Sequence, residues 1–237
     1  MPPNPFTITK ITQATPDIKL FSLKPIQTPF PNFVPGQFAM MYLPKPEEGF
    51  GEAKPYSIAS APGASEVELA IKIAGFFTQK VAKLREGETV GVTGPFGLFT
   101  FKEQEMPSVV FLAGGIGITP FMSAIRYAVE KQLENKITLL YSNKTIPDIA
   151  YRQEILEAAQ KNRNIKPVLT LTRHEQTHGE WGGETGRINA EMVEKHVADL
   201  HNQFYFLCGP NEFIRACNEA LLSLKIEPKK IKREIFG

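Results

Sequence analysis

The chain has 237 residues, 42% hydrophobic and 22% charged, a balance that suits two ordinary globular domains or one large one and argues against disordered, collagenous and coiled-coil chains. Twenty-seven Lys and Arg against 25 Asp and Glu leave a net charge of +2, without the basic excess of a nucleic-acid binder. The longest apolar runs fall short of the ~20 residues that cross a bilayer, and the opening MPPNPFTITK has no signal-peptide core, so a cytoplasmic location without membrane insertion is expected.

Thirteen of the 19 prolines fall in residues 1–103 and six in the remaining 134. Long helical patterns begin only after Pro107, so two domains are expected, 1–103 and 104–237. In the first, β-rich runs bounded by turn residues predict strands at Phe6–Ile11, Ile18–Leu23, Gln37–Leu43, Tyr56–Ala59, Glu66–Ile73 and Thr89–Val92. From Glu66 to Ile73 the side chains alternate, with Val67, Leu69, Ile71 and Ile73 on one face and Glu66, Glu68, Ala70 and Lys72 on the other. An antiparallel sheet closed as a small barrel is predicted.

In the second domain Val109–Ala113, Ile137–Ser142, Pro167–Leu171 and Phe204–Cys208 are apolar without polar alternation, as parallel strands buried on both faces are. Between and after them, apolar residues recur at helical spacing from Phe121 to Leu133, from Met192 to Leu200 and from Phe213 to Leu224. Strand and helix in alternation predict a doubly wound α/β nucleotide-binding domain.

Three segments carry the chemistry. AGGIGITPF (113–121) takes a predicted strand through glycines into a helix, with Thr119 expected as N-cap and Pro120 at the first helical position. Gly114, Gly115 and Gly117 there would let a pyrophosphate reach the backbone amides and the positive helix end. Pro120 replaces the third glycine of the dinucleotide fingerprint, and no acidic residue follows the second strand at Ser142–Asn143–Lys144. LCGPNEF (207–213) again ends a strand in a Gly–Pro turn before a helix, and KPYSIAS (54–60) lies in the β half.

In this order and spacing the three segments resemble the ferredoxin–NADP⁺ reductase superfamily over almost the whole chain. The resemblance implies an N-terminal FAD-binding β-barrel, a C-terminal NAD(P)-binding α/β domain, and a hydride passed from NAD(P)H to FAD. Electrons would then go to a ferredoxin, flavodoxin or oxygenase component, or to a small-molecule acceptor. A reductase of free flavins, quinones or ferric complexes, or a flavin-binding relay subunit of a larger complex, are the alternatives. The family's Arg-x-Tyr-Ser motif falls on Lys54, Pro55, Tyr56 and Ser57: Tyr56 would pack on the isoalloxazine, Ser57 would bond near flavin N5, and Lys54 keeps the charge without arginine's planar fork. Ile71, Lys72 and Ile73 lead into the matching turn Gly75-Phe76-Phe77-Thr78, whose free amides and Thr78 hydroxyl would meet a phosphate at the start of a helix over Thr78–Leu84. GPFG at 94–97 matches a closing turn of the barrel.

In the second domain Gly114, Gly115, Gly117, Ile118, Thr119 and Pro120 would cradle the NAD(P)H pyrophosphate, and Cys208, Gly209 and Pro210 would border the nicotinamide. Thr172 and Arg173 fall where NADP-using relatives hold the 2′-phosphate. REIFG resembles a chain end that returns to the flavin, which adds Glu234 and Phe236 to Tyr56, Ser57 and Cys208 as candidate catalytic residues. Lys225, Lys229, Lys230, Lys232 and Arg233 would then ring the redox centre and steer an acidic partner. The two cysteines, Cys208 and Cys217, cannot build a four-cysteine cluster or zinc site within the chain. The histidines His174, His178, His196 and His201 show no ligand spacing, so no metal is expected; His196 reads as a core residue of an apolar stripe.

Overall fold

A computed structural model describes residues 2–176 and 180–235. The N-terminal half is a six-stranded antiparallel sheet, made of β1 (Asn4–Thr15), β2 (Ile18–Pro25), β3 (Phe38–Lys45), β4 (Gly49–Ser57), β5 (Val67–Lys72) and β6 (Thr89–Phe96) in the order β4-β3-β6-β1-β2-β5. Its two edges meet just beyond β4. Ile58 bridges Leu69, and the Ala59 amide donates to the Glu68 carbonyl at 2.8 Å, so the sheet closes on a core that includes Phe6, Phe21, Met41, Leu69, Ile71 and Val92. The short helix α1 (Phe76–Val81) joins β5 to β6 and buries Phe77 and Val81 against that core.

The expected strands are present, with two corrections. β4 begins at Gly49 rather than Tyr56: glycines, charges and Pro55 mask it as a sequence pattern, and an edge strand tolerates all of them. Gly94, Pro95 and Phe96 are not a closing turn but the last residues of β6, with Phe96 opposite Phe38.

The second half is a parallel sheet of β7 (Ser108–Gly114), β8 (Lys136–Asn143), β9 (Ile165–Leu171), β10 (Glu184–Thr185), β11 (Phe204–Gly209) and β12 (Ile231–Ile235), ordered β10-β9-β8-β7-β11-β12. Helices α2 (Thr119–Glu130) and α3 (Arg152–Lys161) cover one face, and α4 (Ala190–His196) and α5 (Asn211–Ser223) the other. Along β7 the side chains divide accordingly: Val109, Phe111 and Ala113 pack in one core, Val110 and Leu112 in the other. A strand buried on both faces has no polar positions to alternate, which explains its sequence. α3, β10 and β12 carry no clear pattern, because α3 buries only Ile155 and Ala158 and β12 is a charged edge strand, IKREI.

The two sheets share a core. Ile18, Ala59 and Ala70 of the barrel pack with Phe99, Phe101, Phe111, Phe121 and Phe206, whose rings include the stacked pair Phe111–Phe121 at 4.5 Å. The segment between β6 and β7 is stitched back onto the barrel, where the Phe101 amide donates to the Pro35 carbonyl at 2.9 Å. The approach requires Gly36: its φ is +101°, and a Cβ would lie 2.0 Å from the Phe99 carbonyl oxygen. Gly36→Ala is therefore expected to cost about 2–3 kcal/mol, from overlap and a strained φ together. Urea unfolding measures it, and an unchanged midpoint and slope would contradict this packing.

Candidate active site

On the barrel side the site is the end of β4. Ser57 is buried, and its hydroxyl has no hydrogen-bond partner in the protein. A buried orphan hydroxyl costs free energy unless something satisfies it, so it marks a place for a ligand. Tyr56 is half-buried beside the barrel core, and desolvation pushes its phenol up to about 12; it stays neutral at physiological pH and can present a ring face. Lys54 and Pro55 are exposed on the same strand end, while Lys80 of α1 is held by Glu52 at 2.8 Å.

The turn into α1 differs in detail from expectation. Thr78 lies inside the helix, and its hydroxyl accepts from the amides of Ala74 (3.0 Å) and Gly75 (2.9 Å) and donates to the Gly75 carbonyl. The hydroxyl and those two amides are spent on the turn itself. The first-turn amides of Phe76 and Phe77 have no intrahelical partner and remain for an anion, and a Cβ on Gly75 would meet nothing within 4 Å. Ile71 is committed to the barrel core and Lys72 pairs with Asp17 at 3.0 Å; the Ile73 amide donates to the Asp17 carbonyl.

On the α/β side β7 and β11 are neighbours, and the chain proceeds from β7 to β8 and β9 on one side but returns to β11 on the other. The carboxyl ends of β7 and β11 thus flank the point where the strand order reverses, the usual ligand crevice of such sheets. The three glycines after β7 divide the labour. Gly115 (φ +54°) faces open space, whereas a Cβ on Gly117 would lie 2.1 Å from the Cys208 carbonyl oxygen and one on Gly114 would strike the Phe213 ring at 2.8 Å. Only Gly115 leaves room for a ligand; Gly114 and Gly117 let the two turns pack together, as does Gly209 against Phe213. Residues 115–118 form a 3₁₀ turn and α2 begins at Thr119, so the N-cap is Ile118 and Thr119 is not. The Thr119 hydroxyl instead donates to the Ile116 carbonyl at 2.7 Å, and Pro120 sits within the first turn.

Cys208 is fully buried, paired in register with Glu234 on β12, and burial with the nearby carboxylate pushes its thiol well up. Glu234 has a buried, unpartnered Oε2, and burial pushes its carboxyl up to about 7. Phe236 and His178 lie outside the described residues. Thr172 donates to the Asn143 carbonyl from both amide and hydroxyl, and the Arg173 amide to the Lys144 carbonyl, which sets exposed Arg173 beside Lys144 at the ends of β9 and β8. The sequence reading passed over Asn143: its carboxamide is buried with no partner at hydrogen-bond geometry, and its position just at the carboxyl end of a parallel strand was the available signal.

Most of the basic cluster lies elsewhere than expected. β12 runs parallel to β11 with Ile231 beside Tyr205 and Ile235 beside Gly209, so Lys225, Lys229 and Lys230 stand at the opposite end of the strands, ~13 Å or more from Cys208–Gly209. Lys229 and Lys230 pair with Glu227, Lys232 donates to the Thr100 carbonyl over the Phe206 ring, and Arg233 donates to Asn218. Lys225, Lys229 and Lys230 thus lie away from the site, whereas Lys232 and Arg233 stand beside Phe206 and Leu207 and are held by the protein's own groups. His196 is not a core residue either: its Nε2 lies 2.7 Å from the Glu184 carboxylate, which Lys195 also holds.

Residues 5–101 match the family model described as oxidoreductase FAD-binding domain, and residues 111–219 the one described as oxidoreductase NAD-binding domain. Together the two models cover most of the chain, which carries an FAD-binding and an NAD-binding oxidoreductase domain in the two-domain fold of the ferredoxin–NADP⁺ reductases. It is similar to the flavohemoprotein of Bacillus subtilis, 27% identical over 98% of this chain and 59% of that protein, and to the sulfhydrogenase 2 subunit gamma of Pyrococcus furiosus, 28% identical over 94% of this chain and 80% of that one. The chain thus spans under two thirds of the flavohemoprotein. Among solved structures, the flavohem-like FAD/NAD binding domain of nitric oxide dioxygenase from Vibrio cholerae superposes over 100% of both chains at TM-score 0.87 with 19% identity. The cofactors of these two domains, FAD and NAD(P)H, fit the orphan Ser57 hydroxyl, the Tyr56 ring and the open ground above Gly75 and Gly115.

Glu234 gives the candidate site a pH signature. Its folded value of about 7 exceeds the ordinary 4.5, so the folded chain holds that proton longer than the unfolded one and loses stability as pH rises between the two values. Calorimetry of Glu234→Gln is expected to match wild type near pH 4 and to melt higher than wild type above pH 7. A Tm difference independent of pH would contradict the buried acid.

Proposed function

We propose that the chain takes a hydride from NAD(P)H onto FAD and passes the electrons, singly or in pairs, to a separate acceptor. The flavin unit would be residues 1–103 and the nicotinamide unit 104–237, a division that agrees with the extents of the two family models. The observation that carries the reading is that β5 of the barrel packs against the Gly115–Ile118 turn, while Ile58, next after β4, bridges β5, which supports placing the end of β4 near the switch-point crevice. Bound FAD would supply the two-electron acceptor that can also release electrons one at a time. The chain supplies position, since hydride transfer requires donor and acceptor atoms in near contact. Tyr56 would hold the ring system by its face, Ser57 would donate its spare hydroxyl at the reacting edge, and Gly115 would admit the pyrophosphate to the amides of the turn. Cys208, neutral and buried, would border the nicotinamide without charging it.

The acceptor we favour is a redox protein, a ferredoxin, flavodoxin or oxygenase component, and the location a cytoplasmic one where NAD(P)H is available. The match to 80% of a protein named as a subunit supports a second reading, a relay subunit held within a larger complex. Purification separates them: free protein that reduces an artificial dye from NAD(P)H supports the first, and obligate co-purification with partners supports the second.

Two tests address the site. Tyr56→Ala should lower flavin retention several-fold, since a stacked aromatic contributes ~1 kcal/mol beyond its buried area; unchanged flavin content in the purified variant would remove Tyr56 from the ring site. Arg173→Ala should raise KM for NADPH more than for NADH at unchanged kcat, because only NADPH offers the 2′-phosphate charge to lose. Equal effects on both coenzymes would refute that role.

A further inference from the structure

Where the barrel closes, the α/β half grips it with polar bonds that neither nucleotide site uses. Arg126, two turns into α2, donates from Nη1 to the Ala59 carbonyl at 3.0 Å and to Glu68 Oε1 at 2.8 Å, both on the barrel. Its other edge is fixed within its own half by Glu154 of α3, at 2.5 Å to Nε and 2.9 Å to Nη2. Tyr151, at the start of α3, donates its hydroxyl to the same Glu68 oxygen at 2.8 Å. One turn earlier on α2, the buried Ser123 donates to the Ser60 carbonyl at 2.8 Å.

These contacts are placed between the two motifs. Ala59 and Ser60 follow Ser57 by two and three residues, and Ser123 and Arg126 follow Thr119 by four and seven. Helix α2 therefore starts at the nucleotide turn and, within its first two turns, is bolted to the backbone that leaves the flavin motif. The barrel adds Ile18, Ala59 and Ala70 to the apolar contact around the bolt, and the two alanines let helix and seam approach closely while giving little shape of their own to stop sliding. The Arg126 and Glu68 side chains are only 22% and 18% exposed, so their attraction is weakly screened by salt.

We propose that Arg126, with Ser123, is a positioning residue for hydride transfer: it fixes the lateral register of the nucleotide turn against the flavin motif. Neither residue touches a cofactor; both act through the Ala59–Ser60 backbone and Glu68. The proposal rests on the hydride-transfer reading above, and its test has one arm that does not.

The first arm is anaerobic rapid mixing of flavin-loaded protein with saturating NADH or NADPH, following flavin bleaching. Arg126→Met keeps the length of the side chain and removes the fork, and should slow bleaching about 10- to 100-fold, the scale of an ångström-sized misplacement, with coenzyme Kd and flavin content within twofold of wild type. Arg126→Lys should recover only part of the rate, because an ammonium cannot hold Ala59, Glu68 and Glu154 together. Ile155→Val, a core truncation in α3, should lower Tm without slowing bleaching, which separates stability from register. Should Arg126→Met not fold, Glu68→Gln tests the same contact from the barrel side and should slow bleaching in the same direction.

The second arm needs no turnover. Spin labels at exposed positions 47 and 219, one in each half, report the inter-unit distance by pulsed electron resonance; Cys208 and Cys217 are buried and take no label. The distribution should be narrow in wild type and broadened in Arg126→Met, with or without flavin. Bleaching within twofold of wild type, or an unbroadened distribution, would overturn the proposal. If wild type itself is not bleached by either coenzyme, the hydride reading fails and the distance distribution alone decides the positioning claim.

Discussion

The seam where β4 meets β5 is the constraint on which the rest of the molecule depends. A sheet of six antiparallel strands has two free edges, and here they are removed by one bridge and its neighbouring hydrogen bond, Ile58–Leu69 and Ala59–Glu68. The same seam carries the candidate flavin motif on its near side and receives α2 on its far side. Closing the barrel, seating Ser57 and docking the second sheet are thus consequences of one stretch of backbone, residues 57–60.

Much of this was legible in the sequence because burial leaves a period. Val67, Leu69 and Ile71 alternate because β5 has one face in the barrel core; Val109 to Ala113 do not, because β7 has none in water. Both reasons are physical, so both sheets could be anticipated. β4 could not be delimited, since an edge strand reading GFGEAKPYS is paid for by its pairing with β3 and the closure rather than by its own side chains. α3 and β12 failed for the same reason, their charged residues outnumbering those they bury.

The candidate site was legible as motifs but not as geometry. Spacing placed Gly114, Gly115 and Gly117 at one turn, yet assigned them all to a ligand, whereas two of them serve the packing of that turn against Cys208 and Phe213. Thr78 and Thr119 were read as ligand contact and N-cap, and each satisfies its own turn. A hydroxyl close to backbone donors and acceptors is captured locally, and no residue-level pattern reveals that in advance. The lysines before β12 show the converse error: position along the chain said that they approach the site, and the parallel pairing of β12 with β11 carries them away from it. The Arg126 contacts carry no sequence signal, because their partners lie far away along the chain, whereas Asn143 is marked only by its place at the end of a parallel strand.

The central claim is that one crevice receives both cofactors, with the flavin against the end of β4 and the pyrophosphate of the nicotinamide cofactor over the turn after β7. A crystal structure of the protein with FAD and NAD⁺ bound tests it most directly. The account predicts the isoalloxazine in contact with Tyr56, the Ser57 hydroxyl hydrogen-bonded to it, and the pyrophosphate over Gly115, with the seam contacts of Ala59, Ser60 and Glu68 unchanged. A flavin seated away from the end of β4, or a Ser57 hydroxyl still without a partner, would contradict it.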